Sequence, residues 1–176
     1  MVAPSPYWFS YRYRLNKQWN LRAAVGGNIY REDRPSMFAD RDNYRIQKTQ
    51  WGLRAGIEHA QELAKRWQVF YGLDLRSSWT CELNEERFSN GGYLYGSEES
   101  GSAIGPAVLL GIRFRITPRF NILTEASLAL MSTTKEKREY STPILGGEPK
   151  PDVTSRTTGL QSTFTPPLAV TATFAL

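Results

Sequence analysis

Strict alternation of apolar and polar residues runs through most of this 176-residue chain. Tyr7, Phe9, Tyr11, Tyr13 and Leu15 alternate with Trp8, Ser10, Arg12 and Arg14. After Asn16-Lys17-Gln18, Trp19, Leu21, Ala23, Val25 and Ile29 alternate with Asn20, Arg22, Ala24, Gly26 and Asn28. The pattern returns from Gln50 to Arg76 around a turn near Glu62 to Arg66, and from Ile104 to Leu130 around Thr117-Pro118-Arg119. A period of two is the signature of a strand with one face of each kind, and short breaks between such runs read as hairpins. The predicted fold class is therefore all-β, antiparallel and up-and-down, in one domain over 1–176. Strands are expected at about 6–15, 19–31, 47–61, 67–80, 103–116, 120–133 and 157–176. Pro166-Pro167 interrupts the last of these, and a bulge or open edge is expected there because proline donates nothing to a ladder.

The connections alternate too. Three are short, and three, at about 32–45, 83–101 and 135–156, are long and polar. Tight turns at one end and long loops at the other are the asymmetry of a transmembrane β-barrel of a bacterial outer membrane. No run approaches the roughly 18 apolar residues of a membrane helix. Mean hydropathy is negative, as half-polar barrel strands require.

Alternation alone leaves open which face meets water. Three details favour lipid on the apolar face. Aromatic residues mark two levels: Tyr13, Trp19, Trp67, Phe114, Phe120 and Phe174 near the short turns, and Tyr7, Phe9, Trp51 and Trp79 toward the long loops. The polar face repeatedly uses glycine (Gly26, Gly52, Gly56, Gly72, Gly105, Gly111), which suits a crowded interior. Lysine sits in turns and loops, while the strands carry arginine, the better partner for enclosed pairs. The expected lumen charge network is Arg12, Arg14, Arg22, Arg54, Glu58, Asp74, Arg76, Arg113, Arg115 and Glu125. Enclosed charges must be paired or wet. An eight-stranded barrel is only wide enough for side chains to fill. Only seven strands are evident, so an upward first strand is either missing, supplied by another segment, or replaced by seven-strand closure.

A formal net charge of +5 admits nucleic acid or anionic lipid, but lysine and arginine are dispersed, and no nucleic-acid partner is expected. Cys81 is the single cysteine, which excludes an intrachain disulfide and a paired-cysteine metal motif. The opening MVAPSPYW is not a secretion signal, so an exported chain would have had its signal removed. His59, the only histidine, falls on apolar parity near a short turn and reads as interfacial rather than catalytic. Glu58, Asp74 and Glu125 could form an acid pair, but among arginines they read as ionised structural partners. Asp33, Asp40 and Asp42 lack the spacing of a calcium loop. Gly91 to Gly96 suggests a flexible tip with exposed tyrosines. No catalytic, cofactor-binding or metal-binding residue is assigned.

Three segments, PSPYWFSYRYRLNKQWNLRAAVGG, ITPRFNILTEASLAL and FTPPLAVTATFAL, make the chain resemble the small outer-membrane β-barrel proteins of Bacteroidetes, a porin-like or OmpA-like eight-stranded family. The resemblance is one of pattern over most of the chain. It implies a further strand before the PSPYW segment. The expected role is a non-enzymatic structural or interaction module in outer-membrane lipid, able to serve as a subunit of a larger envelope complex with its loops as contact surface. A narrow solute or ion channel and a soluble ligand-binding barrel stand as alternatives.

Overall fold

The computed structural model describes residues 7–35, 41–88, 93–117, 120–143, 150–167 and 170–174. All regular structure there is β. The strands are β1 (Tyr7–Arg14), β2 (Trp19–Pro35), β3 (Arg41–Ala64), β4 (Trp67–Phe88), β5 (Tyr93–Arg115), β6 (Phe120–Pro143), β7 (Lys150–Thr165) and β8 (Val170–Phe174). Each pairs antiparallel with its sequence neighbour from β1 to β7, and β8 pairs with β6. Seven up-and-down traverses result, because β7 and β8 are one traverse along β6. Ser127 opposes Thr165 and Thr124 opposes Val170, so five steps on one side match three on the other. This is the bulge expected at Pro166-Pro167. The Thr124 hydroxyl donates to the Pro167 carbonyl at 2.9 Å across it.

The turns follow from local chemistry. Asn16 Oδ1 accepts from the backbone of Gln18 and of Trp19, both at 2.9 Å, an Asx turn. Lys65-Arg66 alone join β3 to β4. Thr117 Oγ1 accepts from the Phe120 amide at 3.0 Å.

The strands run much further than alternation suggested. The described parts of 32–45, 83–101 and 135–156, expected as loops, are paired strand. β3 and β6 have 24 residues each, about twice the 9–11 that cross a bilayer. In these stretches both faces are polar, so the ladder continues while the hydropathy signal stops.

The sheet is not closed. Among the described residues no ladder joins β1 to β7 or β8. With seven antiparallel traverses, β1 and the last traverse point the same way. The sheet nevertheless curls: Arg22 of β2 reaches Glu125 of β6 at 2.8 Å, and Arg12 of β1 lies 3.9 Å from the same carboxylate.

Candidate functional site

The enclosed face is built from alternate positions of β1 to β6, and it is the charged one. Glu58 is fully buried. It accepts hydrogen bonds from Arg12 Nε (3.0 Å), Asn20 Nδ2 (3.1 Å) and Arg113 Nη2 (2.6 Å). Arg22 grips Glu125 through both terminal nitrogens, at 2.8 and 3.1 Å. Arg22 Nε also lies 3.2 Å from Asp74 Oδ1, and Arg76 Nη2 lies 3.6 Å from Asp74 Oδ2. These groups come from six different strands, β1 to β6, so the network ties together elements distant in sequence. A lone buried carboxylate costs several kcal/mol; three donors at Glu58 offset that cost.

Glycines make the space. In the ladders Gly72 opposes Glu58, Gly56 opposes Asp74, Gly105 opposes Arg76 and Gly111 opposes Phe70. A Cβ at Gly56 would collide with the Asp74 carboxylate, and one at Gly111 with the Phe70 ring. The glycine-rich polar face is thus a packing requirement.

Arg12, Arg22, Arg54, Glu58, Asp74, Arg76, Arg113 and Glu125 all fall on this face, as the alternation placed them. Arg54 directly opposes Arg76. Arg14 and Arg115 do not join the cluster. Arg14 donates to the carbonyls of Asn16 and Lys17 in the turn, and Arg115 lies 3.5 Å from Glu62 at the rim. Both lie two residues nearer the short turns than Arg12 and Arg113, which do reach the enclosed carboxylates.

Interleaved with the charges lies a feature the sequence reading missed. Phe70, Leu109, Leu123 and Ala60 form a buried apolar cluster. Phe70 has no exposed surface, and the guanidiniums of Arg113 and Arg12 stand 5.1 and 5.8 Å from its ring centre. The signal was present: Phe70, Leu109 and Leu123 are large apolar residues at polar-parity positions. Above the charges the enclosed face becomes hydroxylic, with Ser78, Thr80 and Thr133 around a cavity of about 230 Å³. Its ions are matched, Lys48 with Glu82 at 2.9 Å and Lys135 with Glu99 at 3.1 Å.

The opposite face carries the apolar residues outward. Leu53 is 48% exposed and Ile112 44%, against 9% for Arg76. Trp51 and Trp79 are ladder partners, both exposed. Trp19 and Trp67 are exposed at the lower level, Trp67 packs on Phe114 at 4.7 Å, and Phe120 opposes Phe174 in the ladder. Phe9 and Tyr13 also point outward. The side chains of Tyr7 and Phe174 lie outside the described ones. His59 sits in the lower level between the rings of Trp19 (4.8 Å) and Tyr71 (5.1 Å).

Beyond Trp51 and Trp79 the outward face turns polar. Arg45 Nε donates to Asp33 at 3.0 Å, and Arg138 meets Asp152 at 2.5 Å. The hydrogen bond from Arg45 holds the Asp33 carboxyl below its ordinary range, and the one from Lys48 does the same for Glu82. Asp33 is therefore an ion-pair partner within β2; Asp40 and the side chain of Asp42 lie outside the described residues. Cys81 is a free, exposed thiol at the start of this polar zone. Among the described residues no group of histidine, cysteine or carboxylates is arranged to hold a metal ion. Gly91 and Gly92 lie outside the described residues.

No protein-family profile, no curated protein and no solved structure matches this chain.

Proposed function

We propose that the chain is a transmembrane β-barrel of a bacterial outer membrane, acting as a structural or interaction module of the envelope rather than as an enzyme. The observation that carries this reading is the inverted sidedness of the curled sheet. Ionised groups are enclosed, and a continuous band of Leu, Ile, Val and Trp faces outward. An exposed apolar surface of this extent is an aggregation liability in water and the required surface in lipid. The band also has the right height. Trp67 and Trp79 lie about 12 residues apart on β4, or roughly 40 Å along the strand, which a tilt of about 45° reduces to roughly 28 Å.

Closure needs one more strand. An open edge in hydrocarbon leaves backbone groups unpaired at several kcal/mol each. β1 and the last traverse point the same way, so one intervening antiparallel strand completes an eight-stranded barrel. Placement among the porin-like barrels of Bacteroidetes is part of this proposal and rests on the three patterned segments. Beyond the lipid, the polar half of β3 to β7 is the surface offered to a protein partner in an envelope complex. The Phe70 cluster argues against a conducting lumen, because its buried apolar side chains fill space among the enclosed charges.

Refolding into detergent tests the reading. A heat-modifiable band on a gel without boiling, with β-type circular dichroism, is the expected result. A monodisperse protein in buffer without detergent would reject the membrane assignment in favour of a soluble barrel.

A further inference from the structure

The two ends of the sheet differ in charge. Arg14, Lys17, Lys65, Arg66, Arg115 and Arg119 lie in or next to the short turns, and Glu62 is the one acidic residue of sequence beside them. The chain has 22 lysines and arginines and 17 aspartates and glutamates; setting aside these six and this one leaves sixteen of each. The formal net charge of +5 is therefore the charge of the short-turn end. At the far end cations meet carboxylates: Arg45 with Asp33, Lys48 with Glu82, Lys135 with Glu99, Lys137 with Glu139 and Arg138 with Asp152.

At the short-turn end Arg14 donates to the carbonyls of Asn16 and Lys17, and Arg115 lies 3.5 Å from Glu62. Lys17, Lys65 and Arg66 are exposed, and no carboxylate among the described residues pairs with them. Arg119 lies outside the described residues. The cations stand just beyond the lower aromatic level. Lys17 comes two residues before Trp19, Arg66 directly precedes Trp67, and Arg115 directly follows Phe114. Trp67 opposes Phe114 in the ladder, with the rings 4.7 Å apart. One or two residues of extended chain span roughly 3–7 Å. The headgroup region on one side of a bilayer is roughly 5–7 Å deep. Aromatic rings at the hydrocarbon boundary therefore put these cations among the headgroups, and their long stems let the charged tips reach outward.

We propose that Lys17, Lys65 and Arg66 form a collar that binds the headgroups of anionic phospholipids in the leaflet at the short-turn end. Ammonium and guanidinium groups donate charge-assisted hydrogen bonds to phosphate oxygens. A zwitterionic headgroup brings its own cation to cancel that phosphate, whereas an anionic one leaves a net negative charge for the protein to answer. Basic clusters beside a membrane-spanning element are drawn to anionic lipid for this reason. The matched pairs of the far end offer no such excess, so the preference belongs to one leaflet. The proposal rests on the membrane reading, since lipid must surround the aromatic levels.

The test compares two outward positions of β5, Ile112 near the lower aromatic level and Ile104 toward the upper one, 44% and 55% exposed. In a Cys81→Ser background, a fluorophore is placed on Ile112→Cys or Ile104→Cys. The protein is refolded into vesicles of phosphatidylcholine and phosphatidylglycerol in equal amounts, with bromine on the acyl chains of one lipid or the other. At position 112, quenching should be about twofold stronger or more when phosphatidylglycerol carries the bromine. At position 104 the two lipids should quench alike. Replacing Lys17, Lys65 and Arg66 together by glutamine should make the two lipids equal at 112 while heat-modifiability is kept. Sodium chloride at about 1 M should do the same to the unreplaced collar, because it screens charge beyond about 3 Å. Equal quenching at 112 in heat-modifiable protein overturns the collar and leaves the membrane reading standing. So does a preference that survives the triple replacement, or one as strong at 104 as at 112. No quenching at either position by either lipid overturns the membrane reading, and the collar with it.

Discussion

The two halves of this sheet share one set of strands and one hydrogen-bond ladder, yet their side chains obey opposite rules. Below Trp51 and Trp79, charge is enclosed and apolar surface points outward. Above them, charge points both ways, and the ion pairs stand in the open: Arg45 and Asp33 are each about half exposed, whereas Glu58 and Asp74 are fully covered. The difference shows that backbone pairing sets the architecture while the surroundings of each half set its residues. The same chemical pair should therefore matter greatly in one half and little in the other.

The largest effect is expected at Glu58. Glu58→Ala removes the acceptor of Arg12, Arg113 and Asn20 and leaves the enclosed Arg113 guanidinium without a carboxylate and Arg12 with only the more distant Glu125. Breaking a buried pair from one side costs about 3–5 kcal/mol, so urea unfolding of the refolded protein should show a loss of that order, or no heat-modifiable band at all. Next comes Leu53→Arg, which places a charge in the middle of the outward band. In a membrane barrel this costs about 2–4 kcal/mol. The matching control in the polar half, Gln47→Arg, should stay within about 0.5 kcal/mol. Equal effects at the two positions would erase the contrast between the halves. Gly111→Val then drives a branched side chain into the Phe70 ring, and overpacking of this kind costs about 1–3 kcal/mol. Its readout is the same urea midpoint.

The smallest effect is expected at the exposed pairs. The Asp33 carboxyl is held below its ordinary range by the Arg45 hydrogen bond. A depressed carboxylate contributes stability above its unfolded pKa and loses it as pH falls through the folded value. Acidification below about pH 4 should thus loosen β2 and β3 near Asp33 and Arg45, seen as faster backbone hydrogen exchange there, with the apolar-banded half unchanged. Asp33→Asn should reproduce that local loosening at neutral pH without moving the global transition.

Alternation made the banded half legible. The parity of Leu53 against Arg54, and of Leu75 against Arg76, states which residue lies on which face, and the covered face is the arginine one. It could not reveal the polar half, where a stretch such as Lys135 to Glu139 has no apolar stripe to mark it as strand. Nor could it show that Arg22 meets Glu125, 103 positions away, because that contact depends on how the sheet curls. Arg14 and Arg115 were assigned to the network on parity alone, and parity carries no information about height. The Phe70 cluster is hidden from alternation because its apolar residues stand on the polar face and break the period-two rule.

The sharpest test of sidedness is depth-dependent quenching in lipid vesicles. With Cys81 replaced by serine, a fluorophore is placed on Leu53→Cys or on Arg54→Cys of the refolded protein, and the vesicles carry brominated acyl chains. Strong quenching at position 53 and little at position 54 is the expected result. Strong quenching at 54 with 53 protected, or no quenching at either, would contradict the assignment of faces on which the account rests.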